Sequence, residues 1–193
     1  MPKEPRIKAS LVNSAMLFVS RSLGEPALQT ILKSFDSREI AGKRLLPSDW
    51  VSEVAYRDFL VATAKYLSSS APTRKPREFF FEMGRFTATD GINKYYRSLI
   101  RMFDTRFMLT RSPLLWGVMH THGYLKVEPV GKNVATVYIG DLPAPCKEFC
   151  YTMEGYMYAV AELTKARVTR IEEVECVMDG AKRCKYVGEW KQE

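Results

Sequence analysis

The sequence predicts an α+β fold, with N-terminal helices packed on an antiparallel sheet built as hairpin–helix–hairpin. Three observations lead there. Apolar residues recur at helical spacing over the first two-thirds of the 193 residues. After Gly123 the apolar period drops to two. A single helical stretch, opened by Pro143-Ala144-Pro145, then separates two strand pairs. The length suits one domain over 1–193, mainly helical over 1–122 and hairpin–helix–hairpin over 123–190.

Taken in order, Leu11, Ala15, Phe18, Val19 and Leu23 mark the inner stripe of a first helix, which Gly24-Glu25-Pro26 ends. A short helix follows over Ala27–Phe35, then a polar loop to Leu46. Pro47-Ser48-Asp49-Trp50 reads as a helix start with Ser48 as N-cap, and Val51, Val54, Ala55, Phe59, Ala62 and Tyr66 as its buried stripe. Ser68 to Pro72 breaks that helix. A second helical region opens at Phe79, is punctuated by Gly84, Asp90-Gly91 and Asp104, and draws its apolar face from Tyr95, Tyr96, Leu99, Ile100 and Phe103. Pro113 starts a further helix carrying Leu115, Trp116, Val118 and Met119. Leu125 and Val127, a turn at Gly131-Lys132-Asn133, and Ala135, Val137 and Ile139 form the first hairpin. A helix runs to Leu163, and Val168–Val177 with Cys184–Trp190 make the closing hairpin.

Composition removes several classes. No run of eighteen apolar residues exists, so no membrane span is expected. The apolar stretch from Ala15 to Val19 is too short for a signal peptide, and the expected location is the cytoplasm, where thiols stay reduced. The net charge is +7, but the basic residues are dispersed and no helix-turn-helix, zinc-finger or RNA-recognition signature is present, so nucleic acid is an unlikely partner by these criteria. No phosphate-cradling glycine loop, dinucleotide fingerprint or nucleophile motif appears, and the chain reads as a non-enzyme.

The chemistry concentrates near the C-terminus, in Cys150, Glu173, Cys176 and Cys184. Cys176 and Cys184 sit four residues either side of Gly180, so a loop at Asp179-Gly180-Ala181 would set them across from each other, with Cβ atoms ~5 Å apart. Thiolate sulfur at ~2.3 Å and carboxylate oxygen at ~2.0–2.2 Å would suit tetrahedral zinc. Buried thiols and a Cys176–Cys184 disulfide are the alternative readings of the same spacing. Glu173 and Cys176 are three apart and on an ideal strand face opposite sides. Either a bulge or the strand's end corrects this, or Glu172 takes the place of Glu173.

The C-terminal third resembles the vinyl-four-reductase domain, close to the sensors of aromatic-responsive bacterial transcription activators. The residues that carry the resemblance are Cys150 followed by Gly155-Tyr156, and the pattern Glu173, Cys176, Gly180, Cys184. The resemblance implies that Cys150, Glu173, Cys176 and Cys184 bind a structural zinc, and it favours Glu173 over Glu172. Related folds include the heme-nitric-oxide sensor domain and subunits of the vesicle-tethering complex. The former needs Tyr-x-Ser-x-Arg for heme, and Tyr96 to Arg101 is one residue too long.

The expected function is a non-enzymatic sensor or binding module for a small apolar or aromatic molecule, signalling through a homodimer or partner interface. Trp116, His120 and Tyr156 are candidates for the ligand's wall. The alternative is a scaffold or assembly protein resembling the tethering subunits, with a filled core and no ligand. An enzyme or accessory factor for tetrapyrrole reduction is a third reading. Cys146, one helical turn before Cys150, is a packing residue or a substitute ligand.

Overall fold

The computed structural model describes residues 4–42, 44–95 and 104–192, and it begins with a strand. β1 (Arg6–Lys8) pairs antiparallel with β2 (Trp50–Ser52), placing the fully buried Ile7 opposite Val51. Neither strand is visible in local periodicity, because each exists only through a partner distant in sequence. This pairing also corrects the helix start expected at Ser48. The chain stays extended to Ser52, and α4 (Glu53–Ser70) begins at Glu53. The late start rotates Val54 to the outside, at 39% exposure, and leaves Ala55, Phe59, Ala62 and Leu67 inside.

α1 (Ala9–Leu23) buries Ala9, Val12, Ala15 and Val19 and ends at Gly24, whose φ of 91° suits glycine. α2 (Glu25–Lys33) carries Pro26 in its first turn, and α3 (Arg38–Ala41) is a short helix within the stretch expected as a polar loop. α5 (Pro76–Tyr95) runs unbroken through Gly84 and Asp90-Gly91. Tyr96 to Phe103 lie outside the described residues. α6 (Thr105–Met119) starts eight residues before Pro113, with Asp104 as its N-cap accepting the Phe107 N–H at 2.7 Å. Proline inside a helix frees the carbonyl four residues back. Here that group, on Leu109, accepts the Ser112 hydroxyl at 2.7 Å.

β3 (Tyr124–Gly131), β4 (Val134–Gly140), β5 (Ala166–Glu175) and β6 (Cys184–Gln192) form one antiparallel sheet in the order β3-β4-β6-β5. The expected hairpin–helix–hairpin is present. α7 (Lys147–Leu163) lies between the hairpins in sequence and joins two cores. Cys146, Phe149 and Tyr151 meet the helical core of Phe59, Phe80 and Met83, while Cys150 and Met153 meet the sheet core of Trp116, Val137, Ile139 and Tyr186.

What sets α7 in place is its crossing with α5. A Cβ on Gly84 would fall 1.9 Å from the Thr152 carbonyl oxygen, and one on Gly155 would fall 1.9 Å from that of Phe81. The two backbones touch, so only glycine fits at either position. Arg77–Glu154 at 3.2 Å and Arg85–Glu162 at 2.9 Å flank the crossing.

Gly84→Ala or Gly155→Ala should therefore destabilise the fold by roughly 1–3 kcal/mol through overpacking. Gly91→Ala, on the same helix with nothing within 4 Å of the added methyl, should leave stability equal or slightly raised. Thermal melts of the three variants check this. Wild-type melting of Gly84→Ala and Gly155→Ala would contradict the contact.

Candidate functional site

Cys150, Glu173, Cys176 and Cys184 converge, with one potential ligand atom from each lying within 4.8 Å of all the others. Cys150 comes from the first turns of α7 and faces the sheet. Cys184 opens β6, where its cross-strand partner is Ile139 of β4 rather than Cys176. Cys176 lies just past the end of β5 and leads into a single 3-10 turn, Val177–Asp179, closed by Gly180 at φ 91°. The register between β5 and β6 slips between Glu173 and Glu175. Glu173 is thereby part of the cluster, while Glu172 is half-exposed and paired with Arg170.

The three thiols are buried, with Cys150 Sγ 3.6 Å from Cys176 Sγ and 3.7 Å from Cys184 Sγ. All four cysteines of the chain are free. The hydrogen bond to Cys184 raises the Cys150 thiol well above the ordinary thiol range, and burial adds to it. Cys184, which receives that hydrogen bond and one from the Val177 N–H, is lowered. Burial raises Cys176, against a bond from the Met178 N–H. The cluster thus has one sulfur favoured as thiolate, Cys184, with the Val177 N–H of the 3-10 turn aimed at it.

Glu173 is the anomaly. Its carboxylate is 8% exposed; Oε2 lies 3.5 Å from Lys147 Nζ, and the buried Oε1 has no hydrogen-bond partner. Lys147 also binds Asp179 at 2.7 Å. Burial opposes its charge, but the Asp179 carboxylate and Cys176 sulfur hold its pKa above the ordinary lysine value. Sequence reasoning did not identify Lys147, because a lysine opening a helix reads as solvated surface.

The ligand-wall candidates are not assembled into one site. Trp116 is packed into the sheet core, with Nε1–H donating to the His122 carbonyl at 3.2 Å. His120 stacks on Trp116 at 3.9 Å, and its Nδ1 lies 3.1 Å from the buried Glu53 carboxylate. Tyr156 is on the α5 side of α7, its backbone N beside Gly84. Cys146 stands in the helical core, apart from the other three cysteines. The void beside His120, Glu53, Tyr56 and Cys146 measures about 20 Å³, room for one water. Glu53 went unrecognised because an acid in a helix's first turn is ordinary.

No family model matches the chain, and no curated protein is similar to it. Solved structures are. An H-NOX protein from S. oneidensis in the Fe(II)NO ligation state is 13% identical, with TM-score 0.74 over 96% of this chain and 100% of that one. An oxygen-binding H-NOX domain related to soluble guanylate cyclases is 16% identical, with TM-score 0.69 over 96% of both chains. A structure concerned with heme redox potential and protein-induced porphyrin distortion is 16% identical, with TM-score 0.66 over 95% of this chain and 99% of that one. The likeness establishes the fold, in agreement with the superfold expected from sequence.

It also corrects two expectations. The structures this chain resembles are H-NOX proteins, so the vinyl-four-reductase assignment falls. Its few motif residues report a helix contact and a hairpin geometry, which chains of different families can share. Zinc as cofactor, expected from the spacing and from that resemblance, falls as well: the solved structures similar to this chain include ones concerned with heme distortion.

Among the described residues, neither histidine stands in a heme-sized cavity. Heme iron takes a histidine, thiolate, methionine or tyrosine as axial ligand. Of the chain's two histidines, His120 is held by Trp116 and Glu53 beside a water-sized void, and His122 bonds Thr121 through Nδ1 at 2.9 Å. A larger groove, about 340 Å³ and open to solvent, lies between α1, α2 and α3; Met16 is among the residues that line it, with no histidine, cysteine or tyrosine beside it. Hemin added to the purified protein should give no stoichiometric complex by absorbance titration. A one-to-one complex that His120→Ala abolishes would contradict this reading.

Proposed function

We propose that this chain is a non-enzymatic sensory or binding module of the H-NOX fold that works without heme. At its centre Cys150, Glu173, Cys176 and Cys184 hold a thiophilic metal ion. The observation that carries the proposal is the unpartnered Glu173 Oε1, buried among three thiols. A buried carboxylate oxygen without a partner is costly, and a cation at the middle of the cluster satisfies it. Four protein ligands leave no open position for water, so the ion braces α7 to the closing hairpin instead of activating a substrate. Signal output then falls to a homodimer or partner interface that shifts with the state of the brace. Among the described residues no helix is long and apolar enough to cross a membrane, which is compatible with a cytoplasmic location.

A second reading is a scaffold with no ligand. The packing around Trp116 and His120 favours it, since an apolar or aromatic molecule finds no space beside those residues.

Protein purified without a metal-chelating tag should contain about one thiophilic ion per chain by elemental mass spectrometry. Cys184→Ser should lose that ion and much of the thermal stability. Metal-free protein with four titratable thiols and unchanged melting in Cys184→Ser would overturn the proposal and leave the scaffold.

The proton balance gives a further expectation. Cys150 and Cys176 are raised, so they are protonated at neutral pH and an incoming ion must displace their protons. Apparent cobalt(II) affinity should consequently be weaker at about pH 6 than at about pH 8. Equal affinities, by absorbance titration, would exclude thiol ligation.

A further inference from the structure

α6 carries Arg106 and Arg111 and no acid between Thr105 and Met119. Asp104 is engaged as the cap of α6.

α6 has two unlike faces. The inner one carries the buried Thr105 and Trp116. The outer one carries Phe107, Leu114, Leu115 and Val118 at 38%, 65%, 44% and 51% exposure. These positions repeat at helical spacing, with the exposed Arg111 in the same stripe and its guanidinium 5.4 Å from the Phe107 ring centroid. Arg106 is exposed beside it. A contiguous apolar face of this kind marks an interaction surface.

We propose that the outer face of α6 docks onto an anionic lipid surface. Leu114, Leu115 and Val118 enter the boundary between headgroups and acyl chains, and Arg106 and Arg111 meet the lipid phosphates and carboxylates. The choice of occupant rests on charge. A second copy of this chain would bring the same arginines against these, whereas an anionic bilayer supplies both the missing negative charge and an apolar phase. The docking is peripheral and independent of the thiol cluster, although Trp116 on the inner face belongs to the same core as Cys150.

The test is flotation with vesicles of phosphatidylcholine alone and of phosphatidylcholine with about 30% phosphatidylserine, at low and raised salt. The protein should float with the anionic vesicles only, and less so as salt rises. The double variants Leu114→Asp/Leu115→Asp and Arg106→Gln/Arg111→Gln should each partition at least about tenfold less, with wild-type melting because the side chains are exposed. No flotation with anionic vesicles overturns the proposal, as does flotation that neither variant changes. Concentration-dependent self-association by sedimentation, lost in Leu114→Asp and without vesicle binding, also overturns it and assigns the face to a second copy.

Discussion

The contact of α5 with α7 at Gly84 and Gly155 is the constraint on which the rest of the arrangement depends. Backbone touches backbone there, and the depth and angle of α7 follow from it. Cys150 lies five residues before Gly155, on a different side of the same helix, and reaches the sheet as a result. α7 is thus held against helices on one side and against the closing hairpin on the other. The second hold runs through the three thiols, one carboxylate, the Tyr186 hydroxyl donating to the Cys150 carbonyl at 3.4 Å, and the packing of Met153 and Met157 on the sheet core. Such a hold is adjustable, because an ion or a change in thiol state alters it without disturbing the helix crossing.

Much of the C-terminal part was legible, for a reason specific to it. Strand alternation at Leu125 to Val127 and Ala135 to Ile139, the Gly131-Lys132-Asn133 turn and the prolines before α7 are all local signals, and the structure follows them. The N-terminal part was less legible because its first pairing is not local. Ile7 and Val51 find each other across three helices, and the resulting strand moved the start of α4 and turned Val54 outward. Pro113 misled in another way. Its ring usually stops a helix, but the Ser112 hydroxyl bonds the Leu109 carbonyl, and α6 continues through it.

For the candidate centre, residue spacing anticipated a bulge or strand end near Glu173, but it misplaced Cys176 and Cys184 as cross-strand partners. The 3-10 turn at Val177–Asp179 removes Cys176 from the ladder and supplies the N–H donors that face the sulfurs. Lys147 and Glu53 gave no sequence signal, since each acquires its role only through burial against a distant partner. The likeness to H-NOX proteins fixes the fold, and within it His120 stacks on Trp116 beside Phe149. A shared fold does not carry function, which resides in the site.

The central claim is that one ion is bound by three sulfurs and one carboxylate oxygen. X-ray absorption fine structure of the cobalt(II)-loaded protein tests it most directly. The account predicts a first shell of three sulfurs and one oxygen, with one sulfur lost in Cys150→Ser. A shell of nitrogen and oxygen alone, or spectra unchanged by Cys150→Ser, would contradict it.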